Sequence, residues 1–348
     1  FGNRELLYWD PQIACLGPVP LRSRPVPPLV PAVGEPARLV ANPTYDKVGA
    51  EHPLDAQSPG MREMGVVGLM DVYDSLYPFP PGEKIEALRI VQVLPKSTEQ
   101  HHQPQIGYGC ETSARAVLGT VPVEEDGSAH FYLPPGKEVF FQALDGRGLA
   151  VQSMRSATYV RAGEKLVCAG CHNRRERVSP AAVKQRGLAL RRTPSDIRPE
   201  VEGSHPLSYP RLVQPVLDKH CVECHAKKAG QAKVIDLAAG DWQKDQYHWY
   251  ASYRNLYPYA FHFGAKFHPG YDGWTSARTV PGKFGAKASK LIELLDSRTP
   301  EGGHYDVKLS PTEFRRITLW LDCNSDFFGA YEDTGAQARG EIVKPSLE

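Results

Sequence analysis

The sequence predicts a mixed fold, an antiparallel β-sandwich-like domain over residues 61–175 followed by a mainly α domain over 207–333. Three observations predict it. Six short β-prone runs separated by Gly, Pro and Asp-Gly turns fill the stretch 61–167. An apolar pattern of helical period begins at Tyr209, and Ser310-Pro-Thr-Glu313 is a helix-start signature.

In chain order, residues 1–20 read as one short strand or hairpin (Glu5–Trp9) closed by the turn Asp10-Pro11, and the start at Phe1 reads as internal. Residues 21–60 carry Pro25, Pro27, Pro28, Pro31 and Pro36, with too few periodic apolar residues for a core, and read as an extended linker or strap. The six β runs are 66–73, 85–94, 116–121, 129–133, 139–144 and 150–154, with turns at Asp126-Gly127, Pro134-Pro-Gly136 and Asp145-Gly146. Residues 176–206 are a polar connector. Leu212, Val213, Val216 and Leu217 then line one helical face leading to Cys221. At 310–313, Ser serves as N-cap, Pro as first helical residue and Glu as the third, and Phe314, Ile317, Trp320 and Leu321 line the face of the last helix. Residues 334–348 form a tail.

Composition excludes several classes. The 348 residues carry 41 basic and 40 acidic side chains, a balance that gives no footprint for nucleic acid or an anionic membrane. No apolar run reaches the length of a membrane span. The seven cysteines stand at 15, 110, 168, 171, 221, 224 and 323, and four of them fall into two motifs. The odd remainder describes no disulfide framework: Cys110 could pair with Cys15 or Cys323, or all three could be free thiols.

The motifs are Cys168-Ala-Gly-Cys171-His172 and Cys221-Val-Glu-Cys224-His225. In a Cys-x-x-Cys-His run the two thiols form thioethers with the haem vinyl groups while the adjacent His binds the iron. The competing readings are a closed zinc site and a thioredoxin-like redox pair. Zinc needs four converging ligands, and a redox pair needs neither the following His nor this context. Two covalently bound haem c groups are therefore expected, held by Cys168 and Cys171 and by Cys221 and Cys224, with His172 and His225 on the irons. The first site closes the β domain, and the second makes the α domain a class-I-like cytochrome c domain.

For the second iron, His304 is the distal residue of choice, in a short loop just ahead of the capped helix, with His262 and His268 as alternatives. All four methionines precede both motifs, which favours His over Met. For the first iron, Met154, His102 and His130 are candidates, and an open five-coordinate iron is the other. Arg155 and Arg161 are candidates for propionate pairing. Residues 247–274 hold eleven Phe, Tyr or Trp and three His, which reads either as a wall over a haem edge or as an ordinary packing layer.

The runs Asp126–Pro135, Val139–Asp145, Gln152–Ser156 and Cys168–His172 resemble the middle domain of the hydrazine synthase alpha-subunit family. Pro281–Ser289, Gly303–Pro311 and Ile317–Ser325 resemble its C-terminal haem domain, so the resemblance spans about 61 to 333. It implies that residues 1–20 are the tail of a preceding β-propeller, and that His304 stands opposite His225 in a bis-His site. In the hydrazine-forming member a Tyr shortly after the first motif takes the iron. Here the motif is followed by Asn173-Arg-Arg-Glu-Arg-Val-Ser179, and the next Tyr is Tyr209.

Electron transfer by a dihaem cytochrome, with a redox partner protein or as a subunit of a larger complex, is the leading expectation. The alternatives are a haem-dependent oxidoreductase acting on a small nitrogen compound at an open first iron, and a structural or docking subunit. Covalent haem attachment takes place outside the cytoplasm, so a periplasmic or other extracytoplasmic site is expected.

Overall fold

A computed structural model of the chain describes residues 64–100, 103–109, 113–171, 187–201, 203–231, 234–262, 279–296, 298 and 303–346. All described residues belong to one compact unit. The expectations for 1–60, tail and Pro-rich linker, lie outside the described residues.

Among the described residues seven strands make two sheets. β1 (Gly65–Leu69), β2 (Ala87–Val93), β3 (Arg115–Pro122), β4 (Ala129–Leu133), β5 (Val139–Leu144) and β6 (Ala150–Ser153) coincide with the six β-prone runs. β7 (Lys165–Cys168) was not among them. One sheet has the order β3-β2-β5-β6 and is antiparallel throughout; the other has the order β4-β1-β7. In it β1 runs antiparallel to β4 but parallel to β7, so the second sheet is mixed where an antiparallel one was expected. The cause is the connection: β7 arrives after the whole of the other sheet has been built, and a long return can pair in either sense.

Phe131 of β4 and Phe141 of β5 meet edge to face at 5.5 Å, joining the two sheets through one apolar core with Val67, Leu69, Leu88 and Ile90. The polar connector is fixed backbone from residue 187 onward. Ser195 exchanges hydrogen bonds with His130 and Tyr132 beside β4, and Arg198 with Thr120 beside β3. It therefore covers one edge of each sheet, β4 and β3, where unpaired N–H and C=O groups would invite association.

The helices are short: α1 (Tyr209–Leu212), α2 (Gln214–His220), α3 (Val222–Lys227), α4 (Ala251–Leu256), α5 (Lys290–Leu295), α6 (Pro311–Asp322) and α7 (Thr334–Ala338). α6 begins with the expected capping box: Ser310 Oγ accepts from the Glu313 amide, and the Glu313 carboxylate accepts from the Ser310 amide at 2.8 Å. No helix among the described residues is long and apolar enough to cross a membrane.

The C-terminal end of α6 is locked to the β-sheet by a buried polar network. The Arg89 guanidinium, in β2, donates to Asp322 Oδ2 at 2.9 Å, to Gln142 Oε1 at 2.8 Å and to the Gly148 carbonyl at 2.9 Å. Asp322 also accepts from the Ala150 and Ala286 amides, and Glu200 joins Arg89 to Arg315. Each polar atom of the Arg89–Asp322 pair thus has a partner, as burial of charge requires.

Candidate functional site

The second motif sits where α2 passes into α3. Cys221 closes α2 and opens α3 with φ −124° and ψ −43°, and the His225 amide bonds back to its carbonyl at 3.0 Å. Residues three and four apart share a helix face, so this turn puts Cys221, Cys224 and His225 on one side. None of the residues of α3 is buried by the rest of the chain. The His225 ring is fixed by Nδ1, which lies 2.7 Å from the Ile235 carbonyl oxygen. A carbonyl only accepts, so Nδ1 carries a proton, and in the neutral ring this leaves the lone pair on Nε2, the form that binds a metal.

His304 faces that ring. Their centroids are 6.0 Å apart with the planes inclined by 42°. His304 is carried by a 3-10 turn, His304–Asp306, between Gly303 at φ 80° and Tyr305 at φ 47°. The turn leads into α6, whose start is tied to α2 through Glu313: Lys219 Nζ at 2.7 Å and His220 Nε2 at 3.0 Å both reach its Oε1. Burial, then His225 and Lys228, push the His304 pKa down and favour the neutral ring.

A metal–imidazole nitrogen bond is about 2.0 Å and the ring centre lies about 1.1 Å behind that nitrogen, so two imidazoles sharing one metal stand about 6 Å apart. The His225–His304 separation fits an iron with two axial imidazoles. Among the described residues no three His, Cys, Asp or Glu side chains converge as a closed zinc site requires.

The first motif is built differently. β7 ends at Cys168, which pairs with Leu69, and Cys171 is held by its amide on the Asp74 carbonyl at 2.8 Å and by a bridge to Ser75. Directly paired residues share a sheet face, so Cys168 stands with Leu69 and Ala129 on the core side, while His130 and Val167 stand on the other. His130 Nδ1 lies 3.1 Å from the Arg192 carbonyl. Of the distal candidates, His130 is thus turned away from Cys168. Met154 follows β6 of the other sheet, where its sulfur accepts from the Phe141 amide at 3.4 Å. His102 and the motif's own His172 lie outside the described residues. Arg155 and Arg161 are exposed.

Burial raises the thiol pKa at Cys168 and Cys221, the latter to about 11. Cys171 is pushed up to about 12 by burial, then by Cys168, Asp71 and Asp74. A redox Cys-x-x-Cys activates one thiol by lowering its pKa, and these surroundings act in the opposite direction. Cys323 is a buried free thiol, so it does not pair with Cys110; Cys15 and Cys110 lie outside the described residues.

His262, the other described candidate for the second iron, is buried among aromatic rings, 4.9 Å from Tyr257 and 5.5 Å from Tyr108. Trp249, Tyr250, Tyr253 and Phe261 are buried too, and Tyr253 meets Tyr209 and Phe327 edge to face. Over 247–262 the aromatic stretch is a packing layer. His268 lies outside the described residues. Sequence reasoning missed the Ile235 carbonyl, because a backbone acceptor has no side-chain signature. It also missed Arg89 and Asp322, although a lone Arg in an apolar strand run and an Asp in Trp320-Leu-Asp-Cys323 were visible signals.

Fold and site together describe a two-sheet β region joined to short helices that carry a Cys-x-x-Cys-His turn facing a second histidine. Residues 83–173 match the family model of the hydrazine synthase alpha subunit middle domain, a segment that runs from just before β2 through the first motif. The resemblance to that family is borne out over those residues. Among solved structures, Kuenenia stuttgartiensis hydrazine synthase is similar at 15% identity and a TM-score of 0.49, over 77% of this chain and 43% of that one. No curated protein matches the chain.

Proposed function

We propose that the chain is a dihaem c-type cytochrome that transfers electrons as a subunit of a larger redox complex, outside the cytoplasm. The opposition of His225 and His304 at 6.0 Å carries this reading. In it, Cys221 and Cys224 hold one haem c and the two imidazoles are its axial ligands, in a class-I-like cytochrome domain. Cys168 and Cys171 hold the other haem c at the edge of the β-sandwich-like domain, with His172 on its iron. Haem c supplies a one-electron iron couple when bound. The chain's residues do the rest: the Ile235 carbonyl fixes the His225 tautomer, and the capped start of α6 sets the loop that presents His304.

An iron held by two imidazoles, as proposed for His225 and His304, suits electron transfer because it offers no position to substrate. The test is the alkaline pyridine spectrum and mass of protein matured with a haem-attachment system. The expected result is two haems per chain and a low-spin ferric component; a chain that matures with no covalent haem sinks the proposal.

One observation favours a second reading. The family match covers 83–173 and so takes in the first motif, from which His130 is turned away and Met154 is engaged on the other sheet. A haem-dependent oxidoreductase acting on a small nitrogen compound there is the enzyme form of the proposal. Nitric oxide or hydroxylamine added to the reduced holoprotein separates the two, since a spectral change favours the enzyme and its absence favours electron transfer.

A further inference from the structure

Tyr305 is unusual in three respects. It follows His304 directly and its ring meets that imidazole edge to face at 4.8 Å and 80°. It is 73% exposed, the most open of the exposed large apolar side chains among the described residues. Its backbone is left-handed at φ 47°, ψ 39°, a conformation that costs a non-glycine residue about 1 kcal/mol or more and persists where the surroundings impose it. An exposed ring in a strained turn is poorly explained by folding alone, because its burial contributes little.

The surroundings add charge. Lys228 Nζ lies 3.8 Å from the Tyr305 ring centre, and Lys227, 71% exposed, precedes it at the end of α3. Glu223 is the acid of this helix and is bonded to Lys227. The loop itself adds Asp306 and Lys308 by sequence. An ammonium group over an aromatic face attracts a carboxylate to the same spot, and an exposed apolar ring beside it excludes water once covered.

We infer that Tyr305 and Lys228 form the contact through which the His225–His304 site exchanges electrons, and that the partner is an electron-transfer protein presenting carboxylates around its own redox centre. The inference rests on the proposed haem at that site. One electron crosses between the reduced and the oxidised protein, with no bond made or broken and no proton moved. The ring touches the axial imidazole on one side and solvent on the other, so it forms a direct bridge of contact from that ligand to a docked surface. The near-zero net charge of +1 gives the whole chain little steering of its own, so local charge decides the approach of an ionic reagent.

The experiment uses the holoprotein after its haem content and low-spin spectrum are verified, so that loss of haem, which would overturn the proposed function, is separated from failure of this inference. The reduced protein is oxidised in stopped flow by tris(oxalato)cobaltate(III), a trianion, and by hexaamminecobalt(III), a trication. Expected is a rate with the trianion that falls as salt rises, and that drops several-fold in Lys228→Glu at low salt while the trication rate rises. A second readout needs no turnover. With 3-fluorotyrosine incorporated, the redox-inert trianion hexacyanochromate(III) broadens the fluorine signal that disappears in Tyr305→Phe, and hexaamminechromium(III) leaves it sharp. Equal salt dependence for both cobalt reagents in wild type and Lys228→Glu, or equal broadening by both chromium complexes, overturns the inference.

Discussion

The imidazole rings of His225 and His304 oppose each other at 6.0 Å, and the first of them is locked by a 2.7 Å hydrogen bond from Nδ1 to the Ile235 carbonyl. One ring comes from a helix and the other from a loop far along the chain, so their meeting is a property of the fold. If they share an iron, removing one leaves covalent attachment intact and opens a coordination position. His304→Ala is expected to retain full haem content by the pyridine assay while losing the low-spin ferric signal of that site in electron paramagnetic resonance. Added imidazole is expected to restore it. An unchanged low-spin signal would mean that another group binds opposite His225.

Arg89 and Asp322 form a second long-range pair, and both side chains are fully buried. Breaking such a pair leaves an uncompensated charge in the core. Arg89→Met is expected to destabilise the fold by about 3–5 kcal/mol, read from the urea midpoint, and Asp322→Asn by a comparable amount. The double variant is expected to cost less than the sum of the two. Additive losses would show that the pair is not coupled.

Much of the architecture was legible because it depends on short-range chemistry. Ser310, Pro311 and Glu313 announce the start of α6 with no tertiary information, and the six β runs are bounded by turns whose Gly and Pro act locally. β7 was not legible. Lys165-Leu-Val-Cys168 is four residues long with an alternation too brief to weigh, and its pairing with β1 is decided by contacts about a hundred residues distant in sequence. At the site, the Cys-x-x-Cys-His runs spell their own spacing. The choice between His304 and His262 rests on which ring the fold buries among aromatics, and that depends on Tyr108 and Tyr257, which the sequence does not place together.

Glu313 predicts a pH dependence. Bonds from Lys219, then the Ser310 amide and His220, hold its carboxyl pKa well below the usual carboxylate value. The folded state therefore favours the charged form. Its contribution is complete above the unfolded-state pKa of about 4.3 and is lost as pH falls below it. Glu313→Gln is expected to lower stability at pH 7 by about 1–2 kcal/mol, through the cap and the charged hydrogen bonds. Thermal melts of both proteins at pH 7, 5 and 3 check this. A gap that persists undiminished at pH 3 would assign the loss to packing instead.

Gly119 interrupts β3 beside a shift of register between Ile90 and Val91, at φ 142°. A Cβ there would lie 2.2 Å from the Arg198 carbonyl oxygen, on the connector that covers the sheet edge. That neighbour is backbone and is hydrogen-bonded to Thr120, so it cannot turn aside. Gly119→Ala is expected to destabilise by about 2 kcal/mol or more and to raise amide exchange around residues 195–200. A melt within about 0.5 kcal/mol of wild type would show that the connector yields freely.

Cys323 separates a thiol from a thioether in one measurement. Burial pushes its pKa up to about 12, so at pH 8 in the folded protein it is both protonated and inaccessible, and alkylation needs the thiolate. Iodoacetamide is expected to leave Cys323 unlabelled in the folded holoprotein and to label it fully after denaturation in urea. Cys168, Cys171, Cys221 and Cys224 are expected to stay unlabelled in both states, because a thioether sulfur cannot be alkylated as a thiolate, and their peptides should carry haem mass. Protein expressed without haem attachment provides the contrast, with all five labelled once unfolded. Labelling of the four motif cysteines in denatured holoprotein would remove the covalent haems, and with them the basis for reading His225 and His304 as axial ligands.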